Sequence, residues 1–170
     1  MTFIRTLSPL ETMLAGIAAA ARGPLGMRPA AVAEAIAAFA DRPDLLEGLD
    51  CPCCPDRYMR HLLQSDPAGG YAVVALVWRP GQMSPVHAHK AWCAFAVHRG
   101  VLTETYYTPG DPPEPAATGL LRPGDASHGA ADPHLIHRLA NLSCRTAISI
   151  YCYGVGFDRF GQDVNTVFAA

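Results

Sequence analysis

Two histidines, His87 and His89, stand two residues apart in the stretch G-Q-M-S-P-V-H-A-H-K-A-W-C-A-F-A-V-H-R-G that runs from Gly81 to Gly100. The surroundings are strand-like, and alternate side chains of a strand share a face. Both imidazoles therefore point the same way, with their backbones about 7 Å apart, a separation that lets two rings converge on one metal ion. A third imidazole has to come from elsewhere. His137, flanked by Leu135-Ile136 and Arg138-Leu139, is the candidate. Taken singly, each histidine reads as an ordinary surface or core residue; the spaced pair with a third in an apolar segment reads as a metal site. Three neutral nitrogens leave positions open for substrate and oxygen. Glu104, on a strand just after Gly100, is the alternative carboxylate ligand, and a His/Glu set would imply a different metallo-barrel. Imidazoles accept zinc, nickel or cobalt as well as iron, and oxidative chemistry would favour iron.

The elements that must position these groups follow from composition and periodicity. At 170 residues, half of them hydrophobic, the chain fits one compact domain (1–170) with a core that needs no disulfide staples. Thirteen basic against fifteen acidic residues, a formal charge of -2, give no electrostatic footprint for a nucleic-acid or membrane surface. No segment is long and apolar enough to span a bilayer, and M-T-F-I-R-T-L-S-P-L-E lacks the basic start and apolar core of an export signal. A cytoplasmic, reducing setting is expected, with Cys51, Cys53, Cys54, Cys93, Cys144 and Cys152 as thiols. Cys51-Pro52-Cys53-Cys54 looks like a metal knuckle but has no matching pair, so the zinc signal there is weak.

Residues 8–47 read helical. Leu10, Met13, Leu14 and Ile17 recur at helical spacing, with Ser8 as cap, Pro9 in the first turn and Glu11 three after Ser8. Arg22-Gly23-Pro24 ends that helix, and a second from near Pro29 carries Val32, Ile36 and Phe39 on one face. Residues 1–50 thus form a helical extension packed on a β domain. Tyr58 to Leu63 fits a short helix or a strand edge. Strands are expected over Tyr71–Trp78, Val86–His98, Val101–Tyr107, His134–Asn141 and Arg145–Tyr153, with a Pro/Gly loop over Thr108–Ala117 and a last strand within Gly154–Ala170. Several short strands with tight turns predict a sandwich or small barrel. There are no internal repeats and no glycine-rich phosphate loop.

Six segments occur in a telling order: Tyr58-Met59-Arg60; Val77-Trp78-Arg79-Pro80-Gly81-Gln82; Ser84-Pro85-Val86-His87-Ala88-His89; Gly100-Val101-Leu102-Thr103-Glu104; His137-Arg138-Leu139-Ala140-Asn141; and Ser149-Ile150-Tyr151-Cys152-Tyr153. Together, from Tyr58 to about Gly154, they resemble the cysteine dioxygenase family of cupins, which includes bacterial mercaptopropionate and related thiol dioxygenases. The resemblance implies a mainly β, cupin-type jelly-roll barrel with N-terminal helices, and ferrous iron held by His87, His89 and His137, with Glu104 left out of the ligand set. It implies that Arg60 holds the substrate carboxylate, that Tyr153 is the active-site tyrosine, and that Cys93 is the cysteine that crosslinks to it as a thioether. Two positions depart from the family pattern. Ala88 stands where the family usually has aspartate, and Tyr151 stands where a histidine helps to orient the tyrosine.

The implied reaction adds both atoms of dioxygen to a small anionic thiol and yields a sulfinate. L-Cysteine is the first candidate because Arg60 is present, then 3-mercaptopropionate; Arg57, one turn before Arg60, would suit the second carboxylate of mercaptosuccinate. Without the resemblance, Arg60 and Arg57 read as surface cations, Trp78 and Trp92 as core or pocket wall, and Cys93 as a buried apolar residue. Two rival readings remain: a non-catalytic metal-binding cupin or sensor, and a metal-dependent isomerase or lyase in which Glu104 joins the histidines.

Overall fold

The computed structural model describes residues 6–169; the first five residues and Ala170, which belong to the expected 1–50 extension and 1–170 unit, lie outside the described residues. Two helices come first, α1 (Pro9–Ala20) and α2 (Arg28–Ala40). The α1 start follows its sequence: the Ser8 hydroxyl accepts from the Glu11 backbone N–H, and the Glu11 carboxylate accepts from the Ser8 N–H. Ten strands follow: β1 (Met59–Ser65), β2 (Ala72–Trp78), β3 (His87–His89), β4 (Cys93–Arg99), β5 (Leu102–Thr108), β6 (Glu114–Leu121), β7 (Ala126–Gly129), β8 (Ile136–Ala140), β9 (Ala147–Tyr153) and β10 (Asn165–Val167).

The strands form two antiparallel five-stranded sheets, with orders β1-β2-β9-β4-β7 and β10-β3-β8-β5-β6. The expected jelly-roll barrel is therefore corrected: among the described residues neither sheet closes on itself, and each keeps two edge strands. Among the described residues no strand pairing joins an edge of the first sheet, β1 or β7, to an edge of the second, β10 or β6.

The layers explain the all-apolar runs. On β2, Val73, Ala75 and Val77 face the helices, where they join Met13, Ile17, Val32 and Ile36. Val74, Leu76 and Trp78 face the second sheet. The central strands β4 and β9 alternate in the same way, with Ala94, Ala96, Ile148, Ile150 and Cys152 toward the helices. Cys93, Phe95, Tyr151 and Tyr153 point between the sheets. A strand buried on both faces loses the apolar-polar alternation of a half-exposed one, which is why A-V-V-A-L-V-W is apolar throughout.

The structure departs from the strand expectations in places and decides one that was open. Val86–His98 is two strands in different sheets: the chain crosses after His89, where Lys90 N–H donates to the Val164 carbonyl and Gly154 N–H to the Trp92 carbonyl. The Thr108–Ala117 loop ends early, because β6 starts at Glu114, and β7 has no counterpart in the reading. The segment left open at Tyr58–Leu63 is strand from Met59 onward.

Between β4 of one sheet and β5 of the other stands Gly100, at φ 76°. A Cβ there would lie 2.9 Å from Cα and Cβ of Ala147. The Gly100→Ala variant is expected to lose about 2–4 kcal/mol, from left-handed backbone strain plus collision with a packed strand. The check is the urea midpoint; a parental value would mean that this corner yields freely.

Candidate metal centre

His87 and His89 sit on β3 with one residue between them, and β8 lies beside β3 with His137 as the register partner of His87. All three side chains are buried between the sheets, and one ring nitrogen from each lies within 4.8 Å of the others. Nε2 of His89 and Nε2 of His137 are 3.0 Å apart. A metal bound about 2.1 Å from each nitrogen requires spacings of about 3.0–3.5 Å, so small ring rotations suffice to close the set.

The outer nitrogens fix which atoms face inward. His87 Nδ1–H donates to the Pro85 carbonyl at 3.0 Å. His137 Nδ1–H donates to Glu104 Oε1 at 2.8 Å. With Nδ1 engaged, Nε2 of each ring is left with its lone pair toward the centre. Glu104 therefore acts through His137 and stands outside the cluster of converging nitrogens. Burial lowers the His87 pKa to about 4, with the neighbouring His137 adding to the effect. Burial also lowers that of His89 well below the usual histidine range, with His87 and His137 adding to it. Buried, neutral imidazoles are what a divalent metal requires, since a protonated ring has no lone pair to give.

The loop that delivers β3 is held by hydrogen bonds. Ser84 N–H donates to the Leu139 carbonyl while Ser84 Oγ accepts from the Leu139 N–H. Asn141 exchanges backbone hydrogen bonds with the Gly81–Gln82 turn, and its buried amide donates to the Trp78 and Arg145 carbonyls. The motif residue Asn141 is thus a framework residue. Sequence reasoning missed Ser84 and the Pro85 carbonyl, since neither carries a spacing signal.

A narrow cleft opens against His87, lined by Tyr58, Arg60, Trp78, Tyr151, Tyr153 and Asn165. Arg60 is half-buried on β1; its Nη2–H donates to the Tyr58 hydroxyl at 3.3 Å, and its Nε is buried without a partner. Tyr58 in turn stacks on Trp78 at 4.3 Å, and the indole N–H donates to Ser149 Oγ at 2.9 Å. Cys93 is the direct register partner of Tyr153 across β4 and β9, the juxtaposition a thioether needs. Burial raises the pKa of the Cys93 thiol and of the Tyr153 and Tyr151 phenols well above their usual ranges. Tyr151 lies between Phe95 (4.6 Å, 10°) and Tyr153 (5.4 Å, 14°) in one stack. A second pocket reaches His89 and His137, lined also by Cys93, Phe95 and Tyr106.

Other candidates fall outside. Arg57 is exposed and does not line the site cavity. Trp92 packs with the helix-facing core. All six cysteines are free, and Cys51, Cys53 and Cys54 form no group of three metal-ligating side chains among the described residues.

The family model for cysteine dioxygenase type I matches residues 52–162. The chain belongs to that family. With the buried three-histidine cluster, this makes the protein a non-haem iron(II) thiol dioxygenase whose substrates are a small thiol and dioxygen. It also sets aside the isomerase and sensor readings. Solved structures agree on the fold. The TT1209 protein of Thermus thermophilus is 17% identical over 62% of this chain and 90% of that one, with a TM-score of 0.51. An uncharacterized Klebsiella pneumoniae protein with a double-stranded beta-helix domain is 18% identical over 70% of this chain and 90% of that one, with a TM-score of 0.50. A mutant oxalate decarboxylase of Bacillus subtilis is 12% identical over 69% of this chain and 30% of that one, with a TM-score of 0.51. No helix of the described residues is long and apolar enough to cross a membrane.

For a thiol dioxygenase of this build, the metal-free protein should be acid-labile. The folded chain keeps His87 neutral down to about pH 4, whereas the unfolded chain protonates it near 6.5. As pH falls from about 6.5 toward 4, the unfolded state takes up protons that the folded state refuses, and stability drops by on the order of 3 kcal/mol from His87 alone. His89 acts in the same direction. Urea unfolding of chelator-treated protein between pH 7.5 and 4.5 checks this. The slope should flatten in His87→Gln, and an unchanged slope there would remove His87 as its source.

Proposed function

We propose that the protein converts L-cysteine to cysteine sulfinic acid, with Arg60, Tyr153, Cys93 and Tyr151 as the residues that serve the reaction. We place it in the cytoplasm, acting as one cupin domain of residues 1–170. The observation that carries the substrate reading is Arg60, whose guanidinium lines the same small cavity as His87 and has a buried Nε with no partner. A carboxylate supplies two acceptor oxygens in the plane the guanidinium presents. The exposure of Arg57 weighs against a second carboxylate, and so against mercaptosuccinate. The six free thiols suit a reducing compartment.

The overall reaction is RSH + O2 → RSO2H. Iron(II), which His87, His89 and His137 would hold, would supply the one-electron chemistry that dioxygen requires. Arg60 fixes the carboxylate, so the sulfur end of a short thiol is directed at the histidines and an encounter of separate reactants becomes a step within one assembly. Trp78 holds Tyr58 by stacking, and Tyr58 holds Arg60 by hydrogen bond and ring contact, so the guanidinium is placed before substrate arrives. Tyr153 keeps its phenolic proton at neutral pH and offers it as a hydrogen-bond donor within the cavity. Cys93, opposite it, sets the tyrosine's position. Tyr151 orients the ring of Tyr153 by stacking, the task that a histidine performs by hydrogen bonding in the family pattern. Burial keeps water from the reacting groups.

Oxygen uptake by iron(II)-loaded protein, with the product identified, tests the substrate. Cysteine should give its sulfinate faster than 3-mercaptopropionate or mercaptosuccinate. Arg60→Gln should cut kcat/KM for cysteine by about tenfold to a hundredfold, the worth of a charged hydrogen-bonded pair. It should leave the slow turnover of 2-aminoethanethiol, which has no carboxylate, unaltered. Equal losses on both thiols would mean that Arg60 is a structural cation, and uptake with another of the three acids but not cysteine would replace the substrate.

A further inference from the structure

The outer nitrogen of His89 is the one left without a matched acceptor. Nδ1 of His87 has the Pro85 carbonyl and Nδ1 of His137 has Glu104 Oε1. Nδ1 of His89 is buried with no hydrogen-bond partner, and so is Oδ1 of Asn165. These two orphans belong to residues directly opposite one another, since Asn165 of β10 is the register partner of His89 on β3. Directly opposed residues of an antiparallel pair carry their Cβ atoms about 4.5–5.5 Å apart on one face of the sheet. The Asn165 side chain and the Val164 backbone adjoin the His89 ring without a hydrogen bond to its Nδ1. Asn165 also lines the cavity that holds His87 and Tyr153.

A ring nitrogen and an amide oxygen left unpaired side by side are complementary once the tautomer is fixed. A metal takes the Nε2 lone pair and leaves the proton on Nδ1. We propose that Asn165 is the positioning residue for His89: its Oδ1 accepts the Nδ1–H of His89 when Nε2 binds the metal, completing one acceptor per histidine. Asn165 lies beyond the stretch 52–162 that the family model matches. The strand that ends the described chain is thereby part of the metal centre, through its pairing with β3.

Metal binding itself is the test, so the result is separable from the identity of the thiol. Cobalt(II) affinity is measured on the full chain by competition with a chromophoric chelator, and the ligand-field spectrum of the bound ion is recorded. Asn165→Ala should weaken cobalt(II) binding by about tenfold to a hundredfold, the usual loss for a group that orients a metal-ligating histidine. Asn165→Asp keeps an acceptor at that position and should restore binding to within a few fold, with a parental spectrum. Thr166→Ala, at the exposed neighbour on β10, should bind as the parent does and controls for general loosening of the strand. Parental affinity in Asn165→Ala would overturn the proposal. So would equal losses in the Ala and Asp variants, because packing alone would then explain them. Should the Ala variant not fold, the comparison of Asn165→Asp with Asn165→Leu decides the same point.

Discussion

Three imidazoles buried within a few ångströms of one another are the constraint on which the second sheet is built. An imidazole has two ring nitrogens, and in an apolar interior neither is cheaply left unpaired. Convergence on one centre uses the inner nitrogens and creates a demand for acceptors behind each ring. Those acceptors come from different parts of the chain: the Pro85 carbonyl just before β3, Glu104 on β5 and the β10 segment at Asn165. The order β10-β3-β8-β5 places each supplier beside the ring it serves. Glu104 shows the logic most plainly. A buried carboxylate next to a three-histidine cluster invites reading as a fourth ligand, yet its oxygen is committed to the far side of His137. It reaches the centre only through that imidazole, whose ring orientation it fixes.

The first sheet has a different task. It forms the wall opposite the histidines, and it can do so only because the helices cover its other face. Without α1 and α2, the face bearing Val73, Ala75, Ala94, Ala96, Ile148 and Ile150 would be an exposed apolar patch. With that face covered, the opposite one is free to carry Trp78, Cys93, Tyr151 and Tyr153 toward the site. The helices are distant from the chemistry and still a condition for it.

Sequence patterns made the inner groups legible and left their supports hidden. The His87/His89 spacing has meaning only in a strand, and the strand is there. The Ser8-Pro9-Glu11 cap is local, and local chemistry is readable without a fold. The crossing between sheets after His89 was not readable, because Lys90-Ala91-Trp92 carries no Gly or Pro and both flanking segments are β-formers. β6 was hidden by its prolines, since Pro115 lies inside an edge strand, where a missing N–H is tolerated. Barrel closure depends on hydrogen bonds between strands far apart in sequence, and no periodicity reports those. Pro85 and Asn165 act through a carbonyl oxygen and a register partner, features that appear only once the strands are paired.

The stack Phe95–Tyr151–Tyr153 shows how a wall residue can be exchanged without losing the wall. A histidine at position 151 would bring a titratable imidazole next to Tyr153 and pass orientation through a hydrogen bond. Tyr151 is buried, its phenol pKa pushed well above the ordinary value chiefly by desolvation, and it remains neutral across the range in which histidines change charge. Its rings on either side lie nearly parallel to it, so orientation comes from an extended offset stack, a contact that does not respond to pH. The protonation of the wall is then independent of position 151, and His87 and His89, whose pKa values burial pushes below the usual histidine range, are the groups near the centre whose protonation would compete with the metal for a lone pair. Acid sensitivity near the metal centre accordingly belongs to these two histidines, because the aromatic stack beside them has nothing left to protonate.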